Sequence, residues 1–119
     1  MMYPLDETAL FNHLENPTRA FLLLLHTTHC SQCKIAHARL ERVMQNALLE
    51  VDFFTCNLDV APLVAEHFNI RSVPVCLSYD AKGEQQRVEH GLKSEAVYES
   101  MALGVNVKKG NPKARLLGF

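Results

Sequence analysis

Phe21-Leu22-Leu23-Leu24-Leu25-His26-Thr27-Thr28-His29-Cys30-Ser31-Gln32-Cys33 joins an apolar run to two cysteines separated by two residues. The run is continuously apolar, not alternating, so Ala20 to His26 is predicted as a strand buried on both faces. After it, Cys33, Ala36, Leu40, Val43, Met44 and Ala47 recur at three- and four-residue spacings. That spacing predicts a helix from Cys30 or Ser31 to Ala47, with Lys34, Arg39, Glu41, Arg42 and Gln45 toward water. The cysteines then stand at a helix N-terminus, where unpaired backbone N–H groups and the helix dipole stabilise a thiolate.

The other elements follow outward from this pair. Asp6 is placed to cap a helix carrying Leu10, Phe11 and Leu14 on one face, closed by Asn16-Pro17. Val51 to Cys56 is a second strand, joined to the first through a helix long enough for a right-handed parallel crossover. Asp59 is expected to cap a short helix through His67, with Pro62 in its first turn and Leu63, Val64 and Phe68 inward. Val73 to Tyr79 reads as a strand and Asp80-Ala81-Lys82-Gly83 as a turn. Glu84 to Glu89 then returns as an antiparallel edge strand. Gly91 and Ser94 introduce a last helix through Leu103, with Ala96, Val97 and Met101 as buried candidates. The fold class is α/β: a central mixed sheet of about four strands with helices on both faces.

The chain has 119 residues, enough for one domain with one hydrophobic core, expected over residues 1–103. Its 48% hydrophobic content excludes wholesale disorder. Twelve basic against thirteen acidic residues leave a formal charge of -1, which calls for neither nucleic acid nor an anionic membrane as partner. The apolar run is too short to span a bilayer, and Met1 to Asn16 lacks the basic residues of an export signal; a cytoplasmic protein is expected. Residues 104–119 form a basic extension with Lys108, Lys109, Lys113 and Arg115 and no acid. It is read as packed or solvated, with docking of an acidic partner as the alternative.

Without an export signal, Cys30, Cys33, Cys56 and Cys76 make a poor disulfide scaffold. Cys30 and Cys33 are the expected redox pair, while Cys56 and Cys76 fit small buried hydrophobes. In such a pair a thiolate attacks a substrate sulfur, and the second thiol resolves the mixed disulfide. Cys30 is the better attacker, being the more exposed; Cys33 lies one turn inward. Ser31 and Gln32 carry no charge. A protonated His29 or His26 near Cys30 would favour its thiolate.

The order of elements, the His29-Cys30-Ser31-Gln32-Cys33-Lys34 motif, Asn57-Leu58-Asp59 and Ser72-Val73-Pro74-Val75 together resemble the thioredoxin family over residues 5–103. The resemblance implies that Cys30 attacks, that Cys33 resolves and that Pro74 is cis beside the dithiol. It also implies that Val73 offers main-chain hydrogen bonds to an extended substrate. Thioredoxin itself carries Trp-Cys-Gly-Pro-Cys, whereas this chain has no tryptophan. The family's buried acid aligns with Leu24 and its companion lysine with Thr55, so both members of that pair are absent.

The expected function is therefore a thiol-disulfide oxidoreductase acting in electron transfer and redox homeostasis. It would reduce disulfides in a limited set of protein partners, with no cofactor beyond its own cysteines. Electrons would come from a reductase or a small thiol. A redox-regulated adaptor that binds partners without multiple turnover is the alternative. Cys30, Cys33 and His29 could form half of a zinc site, but a closed site needs four ligands and there is no second close cysteine pair.

Overall fold

The computed structural model describes residues 1–106; the basic residues Lys108 to Arg115 lie outside the described residues. Five strands form one sheet: β1 (Tyr3–Pro4), β2 (Phe21–His26), β3 (Asp52–Asn57), β4 (Val75–Tyr79) and β5 (Gln85–His90). Their spatial order is β1-β3-β2-β4-β5. β1 and β2 each run parallel to β3, whereas β4 is antiparallel to β2 and β5 antiparallel to β4. Four helices cover the sheet: α1 (Glu7–Glu15), α2 (Ser31–Met44), α3 (Pro62–His67) and α4 (Glu95–Val105). The expected mixed sheet flanked by helices is what the chain forms. It has a fifth strand because Tyr3 and Pro4 pair with Phe54 and Thr55. Two residues are too few to show a period in sequence, and proline at an edge loses no ladder bond.

β2 is the central strand, and its five leucine and phenylalanine side chains are fully buried because both faces are covered. Leu22 and Leu24 join Ala36, Leu40 and Val43 of α2 and Tyr98, Met101 and Ala102 of α4. Phe21, Leu23 and Leu25 join Leu10 of α1, Val64 of α3 and Val75, Leu77 and Tyr79 of β4. Burial of each such leucine stabilises the fold by roughly 1.5–3 kcal/mol, an upper bound because the unfolded chain already hides some surface. Phe21 also stacks on Tyr79 with centroids 4.6 Å apart.

Several boundaries differ from the expected ones for local reasons. α2 stops at Met44 because Asn46 Oδ1 accepts the Leu48 N–H at 2.9 Å, an Asx turn that competes with the helix. Ala47 is consequently exposed. Asp59 does not cap α3: Leu58–Val60 is a separate 3-10 turn, and α3 begins at Pro62, whose missing N–H costs nothing there. Leu63 points outward at 56% exposure, while Val64 is buried. The inward face of α4 is Tyr98, Met101, Ala102 and Val105, leaving Ala96 exposed and Val97 only half-buried. Tyr98 anchors that face: its hydroxyl accepts the Lys93 N–H at 3.1 Å, so the ring is buried without losing its polar partner. Ser94, expected to introduce this helix, is its N-cap and accepts from the Val97 N–H.

The β4–β5 turn needs its glycine. Gly83 has φ +88°, and a Cβ there would meet Pro17 Cγ at 2.8 Å. Both facts exclude a side chain.

Candidate active site: a disulfide at a helix N-terminus

β2 delivers the chain through Thr27 to His29 into the first turn of α2, where Cys30 and Cys33 form a disulfide with Cα atoms 5.2 Å apart. Cys30 is the N-cap of α2 in extended conformation, and its Sγ accepts the Cys33 N–H at 3.1 Å. A sulfur in that position occupies the place of a capping oxygen, so negative charge on it meets an unpaired donor and the positive helix end. Cys30 is half-buried and Cys33 only 3% exposed, which leaves Cys30 as the accessible sulfur.

The loop before Cys30 is held from β3. Asp59 Oδ2 accepts the Thr28 N–H at 2.8 Å, and Asn57 Nδ2 donates to Thr28 Oγ1 at 3.1 Å. Asn57 Oδ1 in turn accepts the Asp59 N–H at 2.9 Å and fixes the carboxylate's direction. Hydrogen bonds from the Thr28 backbone and side chain hold the Asp59 carboxyl below its usual range, aided by the charges of His29 and His26. Thr28, Asn57 and Asp59 were not among the expected site residues. Asn57 and Asp59 stood out in sequence, but their contact to Thr28 spans about thirty residues and has no local signature.

Of the expected tuning residues, His29 is exposed beside Cys30, whereas His26 is half-buried at the end of β2 opposite Asn57. Burial is the main cause lowering the His26 pKa. A cavity of about 400 Å³ beside the dithiol is lined by Leu24, His26, Cys33, Lys34, His37 and Asn57 among others.

The Val73–Pro74 peptide bond is cis. β4 therefore starts at Val75, after the proline, and Val75 pairs with Leu25 at the end of β2 that leads into the cysteine loop. The Pro74 carbonyl accepts the Gly91 N–H at 2.8 Å. Val73 is half-buried and Pro74 buried.

Cys56 and Cys76 are the free cysteines, both buried, and they belong to clusters on opposite faces of the sheet. Burial pushes the Cys56 thiol up to about 11 and raises that of Cys76 as well. Neither presents a nucleophile. Among the described residues no group of three His, Cys, Asp or Glu side chains could hold a metal ion. No helix among them is long and apolar enough to cross a membrane.

Known proteins share this construction. Residues 2–102 match the model of the family described as Thioredoxin. The chain is 31% identical over 86 residues to the thioredoxin-like protein YusE of Bacillus subtilis, covering 72% of this chain and 76% of that protein. Its fold superposes on a reduced thioredoxin pre-protein of Schistosoma mansoni with a TM-score of 0.76 at 20% identity, covering 87% of this chain and 97% of the other. A mutant thioredoxin from Halobacterium salinarum gives 0.73 at 19% identity, covering 87% and 91%. With the order of the strands, the dithiol at the start of α2 and the match over residues 2–102 in agreement, the chain belongs to the thioredoxin family.

Proposed function

We propose that the protein is a thiol-disulfide oxidoreductase that reduces disulfides in a limited set of protein partners. The observation that carries this reading is the Cys30–Cys33 disulfide closed across the first turn of α2, with Cys30 Sγ accepting a backbone N–H. In the reduced protein the Cys30 thiolate attacks one sulfur of a partner disulfide. A Cys30–partner bond forms and the other partner sulfur leaves as a thiol. Cys33 then attacks Cys30 Sγ, the Cys30–Cys33 bond forms, and the partner's second sulfur departs reduced. Two electrons pass from the dithiol to the partner. A reductase or a small thiol must restore them.

In this reading the Val73 main chain binds the partner as an extended segment beside Pro74, and His29 favours the Cys30 thiolate when protonated. No cofactor beyond the cysteines takes part. A cytoplasmic setting suits net reduction.

The test is a Cys33→Ser variant, which can attack but not resolve. It should accumulate mixed disulfides with a small group of proteins, released by dithiothreitol and absent from Cys30→Ser. Titration of the wild-type couple should give a potential near the value of about -270 mV typical of thioredoxins. A potential above about -200 mV would instead indicate an oxidant or a regulatory disulfide. Partner binding that survives Cys30→Ser, with no multiple-turnover reduction, would establish the adaptor reading instead.

A further inference from the structure

Resolution requires Cys33 to lose a proton, yet Leu24, which lines the cavity beside Cys33, and Thr55, its partner on β3, offer no base. The cavity beside Cys33 is not purely apolar. Its wall includes His26 from the end of β2 and His37 from α2, together with Lys34 and Asn57. A second opening, lined by Asp6, Thr55, Asn57 and Val60, has the same two histidines in its wall. His26 and His37 therefore stand between the cavity that touches Cys33 and a cleft that leads away from it. The first cavity, at about 400 Å³, has room for several waters, each needing about 30 Å³, and offers polar partners to them.

We propose that His26 accepts the Cys33 proton through water in this cavity during resolution, a role that rests on the oxidoreductase reading above. In the balanced step, the Cys33 thiol gives its proton by way of water to His26. The resulting thiolate attacks Cys30 Sγ, the Cys30–Cys33 bond forms and the Cys30–partner bond breaks. The partner leaves as a thiolate, which takes a proton from the imidazolium or from solvent.

Groups from every side set the state of His26. The burial that lowers its pKa and the charge of His37 favour the neutral imidazole, the form able to accept. Asp59 and a hydrogen bond to the Thr27 backbone pull the other way. Lys34 also lines the cavity, and Asp6 lines the outer cleft. His37 lines the cavity as well, and its Nδ1 lies 3.8 Å from Glu41 Oε1 on the same helix. His26, two residues beyond Leu24 along β2, is the imidazole assigned as the base.

The test separates the two half-reactions in one trace. Reduced protein is mixed with an aryl disulfide, dithionitrobenzoate, whose thionitrobenzoate leaves without needing a proton. Attack by Cys30 releases the first equivalent, and resolution by Cys33 releases the second. In His26→Gln the second phase should slow at least about a hundredfold more than the first at pH 7, the low end of general-base contributions. Its rate should then climb with hydroxide concentration, and added imidazole should restore part of it. His26→Asn, which tests the same loss with a shorter amide, should behave alike if His26→Gln does not fold. A second phase with unaltered rate and pH profile would overturn the proposal, as would slowing confined to the first phase, which would make His26 a tuner of Cys30. Release of a single equivalent by the wild type would overturn the oxidoreductase reading itself.

Discussion

Leu24 of β2 lies directly opposite Thr55 of β3 in the parallel register. Leu24 is fully buried and Thr55 nearly so, and both positions border the openings around His26. The two positions where the family resemblance implies an acid and a lysine are thus side by side and uncharged. In the proposed mechanism the proton goes instead to His26, two residues further along β2.

This makes Leu24→Asp informative in a particular background. Replacing a buried leucine by a carboxyl should cost about 3 kcal/mol of stability, from lost packing and desolvation. Burial raises the pKa of such an acid toward neutrality, where it can exchange protons with Cys33. In His26→Gln the added Leu24→Asp should speed the second phase of thionitrobenzoate release by about a hundredfold. In the wild type the gain should be smaller. Equal gains in both backgrounds would show that His26 and Asp at position 24 do not share a task.

Asp59 acts on the site through Thr28. Removing the carboxylate with Asp59→Ala leaves the Thr28 N–H without its 2.8 Å acceptor and loosens the loop that leads to Cys30. Amide hydrogen exchange at Thr28 should accelerate at least about tenfold, as expected for loss of a charge-assisted bond. The first phase of the aryl disulfide reaction should slow several-fold. An unchanged exchange rate at Thr28 would show that the loop is held by Asn57 alone.

The two other cysteines should be silent. Reduced native protein exposed to iodoacetamide at pH 8 should react first at Cys30, because Cys56 is raised to about 11 and Cys76 is 1% exposed. Cys56 and Cys76 should be modified only after denaturation. Their places on opposite faces of the sheet also exclude a bond between them while the sheet is intact. Mass spectrometry of the labelled peptides checks both statements.

The buried β2 run and the spacing of Cys33, Ala36, Leu40 and Val43 were legible because strand and helix periods are local. So was the cysteine pair at the start of α2. What escaped reading depends on partners distant in sequence. Asp59 has the chemistry of an N-cap, but its carboxylate is used by Thr28 on the neighbouring loop. β1 exists only through pairing with Phe54 and Thr55. Leu63 has the composition of a core residue, and only the start of α3 at Pro62 turns it to solvent. His26 could be read as a residue at the rim; its position in a cavity wall shared with Cys33 is a property of the packed sheet and α2.

Stability should carry the signature of His26 as well. Burial, the largest influence, lowers its folded pKa from the ordinary 6.5, so the unfolded chain takes up a proton at a pH where the folded chain does not. The associated stability is complete above pH 6.5 and is lost as pH falls from there through the lower folded value. Asp59, whose pKa is also lowered, loses its contribution only further down, below the carboxylate's ordinary 3.8. The two windows are separable. Urea unfolding at pH 7.5 and pH 5.5 should show a fall in stability for the wild type and a smaller fall for His26→Gln. A glutamine cannot take the proton in either state, so the difference between the two slopes isolates the imidazole. Identical slopes would mean that His26 is as free to protonate in the fold as in the open chain, and the neutral base proposed behind Cys33 would then be lost over the same pH range as an ordinary exposed histidine.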